Sequence, residues 1–207
     1  MKKTVDMSEK LIYERDLMAQ GCAFIAGTDE VGRGPLAGPV VCCAVIMPLG
    51  EEDIIVGVDD SKKVSAKKRE ALAEEIQRRA ISCVVKEISP QEIDEINILN
   101  AVKKCMKQCV AALSPRPDVL LVDAVNCDFG VPSKPLIKGD AKSYVIGAAS
   151  IVAKVYRDKL MDEYAALYPA YGFERNKGYG TKEHIQAIRE VGPCPLHRKT
   201  FIKNFWE

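Results

Sequence analysis

The spacing of apolar residues alternates between two patterns along the chain, and each pattern predicts a different kind of element. Unbroken apolar runs, as at positions 40–45, are typical of strands that are buried on both faces of a sheet. Apolar residues that recur every three or four positions predict helices with one buried face. The predicted strands are residues 22–28, 40–47, 54–58, 81–88, 119–122 and 135–138, and the predicted helices are residues 11–18, 65–79, 89–113, 143–167 and 181–191.

Capping signals and burial refine this pattern. Ser89, Pro90 and Glu92 form a capping box with proline at the first helical position. The first half of helix 143–167 is small and apolar on every side, so we expect it to be buried. Residues 124–139 and 172–180 are predicted mainly as loops. Strands that alternate with helices predict an α/β domain with a mixed central sheet.

Composition adds limits on the class of protein. The 207 residues fit one domain, and 47% hydrophobic with 29% charged residues excludes a mainly disordered chain. The net charge of +1 argues against a protein that coats nucleic acid through bulk charge, although a local basic patch is compatible with it. Neither a membrane span nor a signal peptide is expected, which predicts a cytoplasmic location.

Cysteine and histidine side chains are not expected to bind a metal ion in this chain. The 8 cysteines include no pair with CxxC spacing, and only 2 histidines are present, so a zinc site is not indicated. In the cytoplasm the thiols should be reduced.

Acidic residues stand where predicted strands and helices end or begin. Asp29 and Glu30 close one apolar strand, Asp123 closes another, and Asp140 precedes the buried helix. Such carboxylates gather at one crevice of an α/β sheet, and an all-oxygen ligand set suits Mg²⁺ or Mn²⁺. Taken singly, each acid could equally be a cap or turn residue, an alternative that is weakest for the Asp29–Glu30 pair.

Glycine and basic residues next to these acids are candidates for phosphate contacts. Gly32 and Gly34 permit close backbone approach to a ligand, and Arg33 between them is either aimed at a phosphate or solvated on a tight turn. Ser150 and Lys154 share one face of the buried helix and need polar partners there.

Two further candidate residues, Lys62 and Tyr179, each allow both a binding role and a purely structural one. Lys62 belongs to a basic cluster at a helix start, where an external anion or plain solvation would both explain the charge. Tyr179 sits in a glycine-rich frame, where it could stack on a nucleotide or pack locally.

Taken together and in this order, these segments resemble the ribonuclease HII family, the type 2 ribonucleases H. The resemblance runs from about Ile25 to Phe205. It rests on residues 27–40, 60–62, 138–140, 148–155 with 157–158, 178–181 with His184, and 197–199 with Phe201.

The resemblance implies a ribonuclease H-like fold, in which a mixed central sheet is flanked by helices. It implies one catalytic domain over residues 1–207, with a small helical C-terminal extension for substrate binding over about residues 172–207. The implied catalytic and metal-binding residues are Asp29, Glu30, Asp123 and Asp140, with Asp128 as a second acid near the loosest of these motifs. The implied substrate-binding residues are Gly32, Arg33 and Gly34 at the 2′-hydroxyl, Tyr179 on the sugar, and Lys62, Ser150 and Lys154 at flanking phosphates.

The implied activity is cleavage of the RNA strand of RNA/DNA hybrids and cutting 5′ of single ribonucleotides in duplex DNA. Two Mg²⁺ or Mn²⁺ ions would take part, the products would carry 3′-hydroxyl and 5′-phosphate ends, and the enzyme would act as a monomer. Two other classes stay open from the residues alone. A resolvase-like metal nuclease would cut DNA without a ribonucleotide, and a non-catalytic binding module would leave the four acids unexplained.

Overall fold

One five-stranded sheet forms the centre of the computed structural model, which describes residues 7–59, 61 and 64–206. The strands are β1 (Ile25–Val31), β2 (Val40–Ile46), β3 (Ser82–Ile88), β4 (Val119–Asp123) and β5 (Ser133–Leu136). Their order is β3-β2-β1-β4-β5. Pairing is antiparallel between β1, β2 and β3 and parallel between β1, β4 and β5, so the predicted mixed sheet is confirmed.

Helices cover both faces of this sheet. Those described are α1 (Met7–Lys10), α2 (Ile12–Ala19), α3 (Ala66–Arg79), α4 (Pro90–Ile96), α5 (Ile98–Ala111), α6 (Gly139–Lys142), α7 (Tyr144–Leu167), α8 (Phe173–Asn176), α9 (Lys182–Val191) and α10 (Lys199–Trp206). Helices α3 and α7 pack on one face and α5 on the other. None of the helices in the described part of the chain is long and apolar enough to span a bilayer.

Strand β2 is buried on both sides, as its unbroken apolar run predicts. Val41 and Cys43 belong to the cluster under α7, whereas Val40 and Cys42 belong to the cluster under α5. Helix α7 approaches β1 so closely that a Cβ on Gly27 would lie 2.3 Å from the carbonyl carbon of Val145. This contact places the start of α7 beside the middle of β1.

The strand predicted at residues 54–58 is wrong. The chain there makes a 3-10 turn at Glu51–Asp53 and then runs without regular structure. Ile55 and Val58 are buried against the core under α7, and the backbone N–H of Ile55 donates to the Tyr144 hydroxyl at 3.1 Å. Side-chain burial, rather than a strand ladder, explains the apolar residues of this segment.

Other boundaries differ where a local interaction decides them. The helix predicted over residues 89–113 is divided at Asn97, which has φ 65° and whose side chain caps α5 through the N–H of Asn100 at 3.1 Å. Strand β1 continues through Asp29 and Glu30 to Val31, and β5 lies two residues before its predicted position. Helices α1, α6, α8 and α10 were not predicted from the apolar pattern.

Candidate active site

The carboxyl ends of β1 and β4 form one wall of a cleft. The two strands are parallel and Thr28 pairs with Val122, so Asp29 and Asp123 follow at the same level of the sheet. The cleft has a volume of about 190 Å³. Its lining residues are Asp29, Glu30, Val31, Ser61, Asp123, Asp140, Ser150, Lys154 and Tyr179. The structure therefore brings all four predicted acids into one cleft.

Main-chain N–H groups donate to three of the four acids. The backbone N–H of Gly139 donates to Asp123 Oδ1 at 2.6 Å, which links the end of β4 to α6. Asp140, in the first turn of α6, accepts from the N–H of Ala141 at 2.8 Å. Asp29 Oδ1 accepts from the N–H of Glu30 at 2.8 Å. The cleft wall is thus held by main-chain donors as well as by the sheet.

Burial and mutual repulsion disfavour the charged forms of the acids on β1. Burial raises the pKa of Asp29 well above its ordinary value, the charges of Glu30 and Asp123 raise it further, and a hydrogen bond from Ser150 opposes the shift. Burial also raises the pKa of Glu30, against the nearby charge of Arg33, whose Nη1 lies 3.1 Å from Glu30 Oε1. The cleft therefore concentrates negative charge that the protein compensates only in part.

This charge and the type of donor atom suit a divalent cation. The acidic side chains offer hard oxygen ligands, and Glu30 Oε2 is buried without a hydrogen-bond partner among the described residues. A buried, unpaired carboxylate oxygen is costly, and a bound cation would offset that cost. Within the described ranges, no three His, Cys, Asp or Glu side chains are already placed around a common ion position. The chemistry of the cleft therefore fits a metal, while its coordination shell is not preformed by those residues.

The predicted phosphate-binding residues differ in where they lie. Ser150 Oγ lies 3.1 Å from Ser61 Oγ, and Ser61 is a cleft residue to which the sequence analysis gave no role. Lys154 lines the cleft and pairs with Asp158 at 2.7 Å. Lys62 lies outside the described residues.

The loop formed by residues 32–34 follows β1 directly and lies next to Tyr179, a residue of the cleft. Gly32 has φ 93°, and a Cβ there would lie 2.4 Å from Nε of Arg157, so only glycine fits. The Arg33 side chain is 47% exposed. A Cβ on Gly34 would lie 3.9 Å from Cε1 of Tyr179, which places the tyrosine ring next to this loop.

Two buried arginines, Arg198 and Arg157, bind main-chain carbonyls in and after this loop, and the sequence patterns gave neither a role. Arg198 donates to the carbonyls of Gly32 at 2.6 Å, of Arg33 at 3.0 Å and of Gly38 at 3.0 Å. Both guanidinium groups are fully buried. The acceptors are main-chain carbonyls that lie far from these arginines in the sequence. The only sequence signal for Arg157 and Arg198 was that both lie in motifs on which the family resemblance rests.

Arg157 connects the loop region to the segment that carries Tyr179. It donates to the carbonyls of Pro39 at 3.0 Å, of Ala37 at 3.1 Å and of Lys177 at 2.9 Å. Arg157 therefore links residues 37–39, which follow loop 32–34, to the segment that precedes Tyr179.

Sequence reasoning also missed two buried charges near the N-terminus. Lys10 donates to the carbonyl of Asp140 at 2.7 Å and pairs with Asp59 at 3.3 Å. Glu14 accepts from Ser143 Oγ at 2.6 Å and from the N–H of Val145 at 3.1 Å. In short polar helices these residues look like ordinary surface charges, so the sequence carried no signal for them.

The sheet order and the acid-lined cleft are those of the ribonuclease H-like class of nucleases. The solved structure of ribonuclease H2 from Pyrococcus horikoshii OT3 superposes with a TM-score of 0.73 at 27% identity, over 88% of this chain and 97% of that one. The predicted fold class is confirmed by this likeness and by the observed sheet.

Sequence relatives identify the family within that class. The family model described as Ribonuclease HII matches residues 26–207. Ribonuclease HII of Caldanaerobacter subterraneus subsp. tengcongensis is 50% identical over 95% of this chain and 81% of its own length. Ribonuclease HII of Caldicellulosiruptor saccharolyticus is 54% identical over 92% of this chain and 93% of its own. The chain belongs to the ribonuclease HII family and is a metal-dependent endonuclease that acts on RNA/DNA hybrids.

Proposed function

We propose that this enzyme cuts the RNA strand of hybrids and also cuts 5′ of a single ribonucleotide in duplex DNA, leaving 3′-hydroxyl and 5′-phosphate ends. The observation that carries this proposal is the single cleft in which four acids from β1, β4 and α6 meet beside loop 32–34. Asp29, Glu30, Asp123 and Asp140 are the proposed ligands of two Mg²⁺ or Mn²⁺ ions. When bound, such ions lower the pKa of a water and offset charge that develops on the phosphate.

Loop 32–34 is the proposed reader of the 2′-hydroxyl. Arg198 binds the carbonyls of this loop, and the backbone N–H groups of Arg33 and Gly34 donate to no acceptor among the described residues. A ribonucleotide would satisfy polar groups that a deoxyribonucleotide leaves unpaired. Unpaired polar groups in a closed site give strong discrimination.

The remaining cleft residues are the proposed contacts to the sugar and the flanking phosphates. Tyr179 is 43% exposed and lines the cleft, so its ring is available to pack on the sugar beyond the scissile bond. Ser150 and Lys154 lie on one face of α7 at the cleft, where they would face phosphates. Lys62 is the third proposed phosphate contact. Lys154 would share its charge between the phosphate and Asp158.

The wider setting of the enzyme follows from the same proposal. We expect the whole chain to act as one catalytic domain, with residues 172–207 supplying a substrate-binding extension. We also expect it to act as a monomer in the cytoplasm, where its nucleic-acid substrate lies.

One assay tests the proposed specificity. Three duplexes are compared in Mg²⁺ and in Mn²⁺: one with a single ribonucleotide, one of DNA alone and one long RNA/DNA hybrid. We expect cutting 5′ of the ribonucleotide and within the hybrid, ligatable 3′-hydroxyl ends, no cutting of DNA alone, and no cutting in EDTA.

The other outcomes point elsewhere. Cutting of DNA alone would indicate a resolvase-like specificity. Cutting of the hybrid but not of the duplex with a single ribonucleotide would contradict the proposed cutting 5′ of single ribonucleotides.

A further inference from the structure

The chain has two histidines, and their rings contact each other next to the main chain of Tyr179. His184 lies in the first turn of α9, His197 lies just before α10, and their side chains are 0% and 3% exposed. Their Nε2 atoms are 3.0 Å apart. At the outer ends, His184 Nδ1 lies 2.9 Å from the carbonyl oxygen of Tyr179, and His197 Nδ1 lies 2.9 Å from the backbone N of Cys194.

This chain of contacts determines where the protons are. A neutral imidazole has one donor and one acceptor nitrogen. The N–H of Cys194 donates to His197 Nδ1, so the proton of His197 is on Nε2. That proton is donated to His184 Nε2, so the proton of His184 is on Nδ1, from which it reaches the carbonyl of Tyr179. Every contact is satisfied when both rings are neutral and carry opposite tautomers.

The reverse assignment fails at Tyr179. His197 Nδ1 also lies 3.3 Å from the carbonyl oxygen of Cys194, so it could donate there if it were protonated. With both rings neutral, His184 would then donate from Nε2, and its bare Nδ1 would face the Tyr179 carbonyl at 2.9 Å. Two acceptors at that distance repel each other, and the N–H of Cys194 would lose its bond.

The surroundings favour the neutral forms. Burial lowers the pKa of His184, and burial together with the charge of His184 lowers the pKa of His197 to about 4. The aromatic rings of Tyr171 and Phe173 stand edge-on to the pair, at 4.8 Å from His197 and 5.4 Å from His184 respectively. Of the titratable residues in contact with the pair, Tyr171 contributes its ring, whereas Tyr179 and Cys194 make these contacts through main-chain atoms, and Arg198 follows His197 in the chain.

The pair ends on the residue whose ring faces the substrate. The Tyr179 carbonyl also accepts from the N–H of Thr181 at 2.8 Å, and the N–H of Tyr179 donates to the carbonyl of Asn176 at 2.9 Å. The hydrogen bond from the His184 side chain thus adds to the main-chain hydrogen bonds that hold Tyr179.

We propose that His184 and His197 form a neutral, oppositely tautomeric pair that positions the main chain of Tyr179 and thereby sets the affinity for the ribonucleotide junction. Both are positioning residues, because neither is among the residues that line the cleft. The proposal rests on the proposed contact between Tyr179 and the sugar. Its structural half, the pair of opposite tautomers, can be tested apart from that contact.

Nitrogen NMR of the full-length enzyme, labelled with ¹⁵N only in histidine, tests the tautomers directly. With two histidines in the chain, the four ring nitrogens give a simple spectrum. At pH 7.5 we expect His184 as the Nδ1–H tautomer and His197 as the Nε2–H tautomer, assigned with single His→Asn variants. A charged ring, or the same tautomer in both residues, would overturn the proposal.

Kinetics on the single-ribonucleotide duplex test the link to Tyr179. We expect His184→Leu to raise KM about five- to tenfold, the equivalent of one lost hydrogen bond, and to change kcat less. His184→Asn is the matched variant, because its amide can donate to the same carbonyl, and it should recover most of the loss. In a Tyr179→Ala background, His184→Leu should add less than a twofold effect.

The outcomes separate the two proposals. Equal losses with and without Tyr179 would show that His184 does not act through it, which overturns the positioning role. If Tyr179→Ala itself leaves KM unchanged, the proposed sugar contact is wrong, and so is the junction role of the pair, while the NMR result still decides the tautomers. If His184→Leu does not fold, His197→Asn, which lacks the Nε2–H that donates to His184, supplies the same comparison with Tyr179→Ala.

Discussion

Asp123 and Asp128 are close in sequence, but the structure gives them different surroundings. Asp123 is the last residue of β4, lines the cleft and accepts from the N–H of Gly139. Asp128 is exposed, accepts from the N–H of Gly130 at 2.8 Å and is not among the residues of the cleft. Strand register therefore separates two acids that the sequence left as alternatives.

This difference predicts a matched pair of variants. Asp123→Asn should lower kcat by about 100-fold or more, because it removes a charge from the proposed metal site. Asp128→Asn should stay within twofold of the wild type. Cleavage of a hybrid in Mg²⁺, with thermal unfolding as the control for folding, measures both. Comparable activity of the two variants would remove Asp123 from the proposed ligands.

Helices α1 and α2 support the candidate active site through side chains that contact α6 and α7. They precede residue 26, where the match to the family model begins, and they contribute Lys10 and Glu14 to the turn formed by α6 and the start of α7. Lys10 bonds the main chain of Asp140, and Glu14 caps the N-terminus of α7 through Val145. The position of Asp140 therefore depends on a segment that carries no catalytic group.

Replacement of Lys10 by methionine should expose this dependence. The loss of a buried donor to Asp140 and of the partner of Asp59 should lower the free energy of unfolding by about 1–3 kcal/mol. It should also raise the Mg²⁺ concentration for half-maximal activity several-fold. Lys142→Met, an exposed lysine of α6, is the matched control and should change neither quantity. Urea unfolding and a Mg²⁺ titration measure the two effects, and an unchanged titration for Lys10→Met would contradict the argument.

Across the whole molecule, buried acids and buried histidines make stability depend on pH in opposite directions. Burial raises the pKa values of Glu14, Asp29 and Glu30, so these groups bind more protons in the native state than in the unfolded state. Their contribution to the free energy of unfolding therefore falls as the pH rises and the acids ionise. His197 has the reverse shift, from 6.5 to about 4. Between those values the unfolded state binds more protons, so the histidine contribution is present above 6.5 and is lost as pH falls towards 4.

A comparison of the wild type with His197→Phe should isolate the histidine contribution. From pH 7.5 to pH 5.0 in EDTA, the wild type should lose about 1–2 kcal/mol more of its free energy of unfolding than the variant does. The acids are common to both proteins, so their contribution cancels in the difference. Urea unfolding at the two pH values is the measurement, and parallel pH dependences would show that His197 is not buried as a neutral ring.

The elements that the sequence predicted well are those whose periodicity reports burial directly. Strand β2 and the first half of helix α7 are apolar on all sides, and both are buried in the core. The pattern failed at residues 54–58, where apolar side chains are buried without a strand, and at Asn97, where one side-chain cap divides a helix. In both places a tertiary or local polar contact outweighed the apolar pattern.

The sequence by itself determined the α/β alternation, the residue types of the candidate site and the family resemblance, because these depend on composition and order along the chain. Only the tertiary structure decided that Asp123 rather than Asp128 faces the cleft, that Arg198 binds carbonyls of loop 32–34 and Arg157 the carbonyl of Lys177, and that two histidines meet next to the main chain of Tyr179. Those arrangements join residues far apart in the chain through main-chain carbonyls and buried rings. Such partners carry no sequence signal, because a carbonyl is the same in every residue.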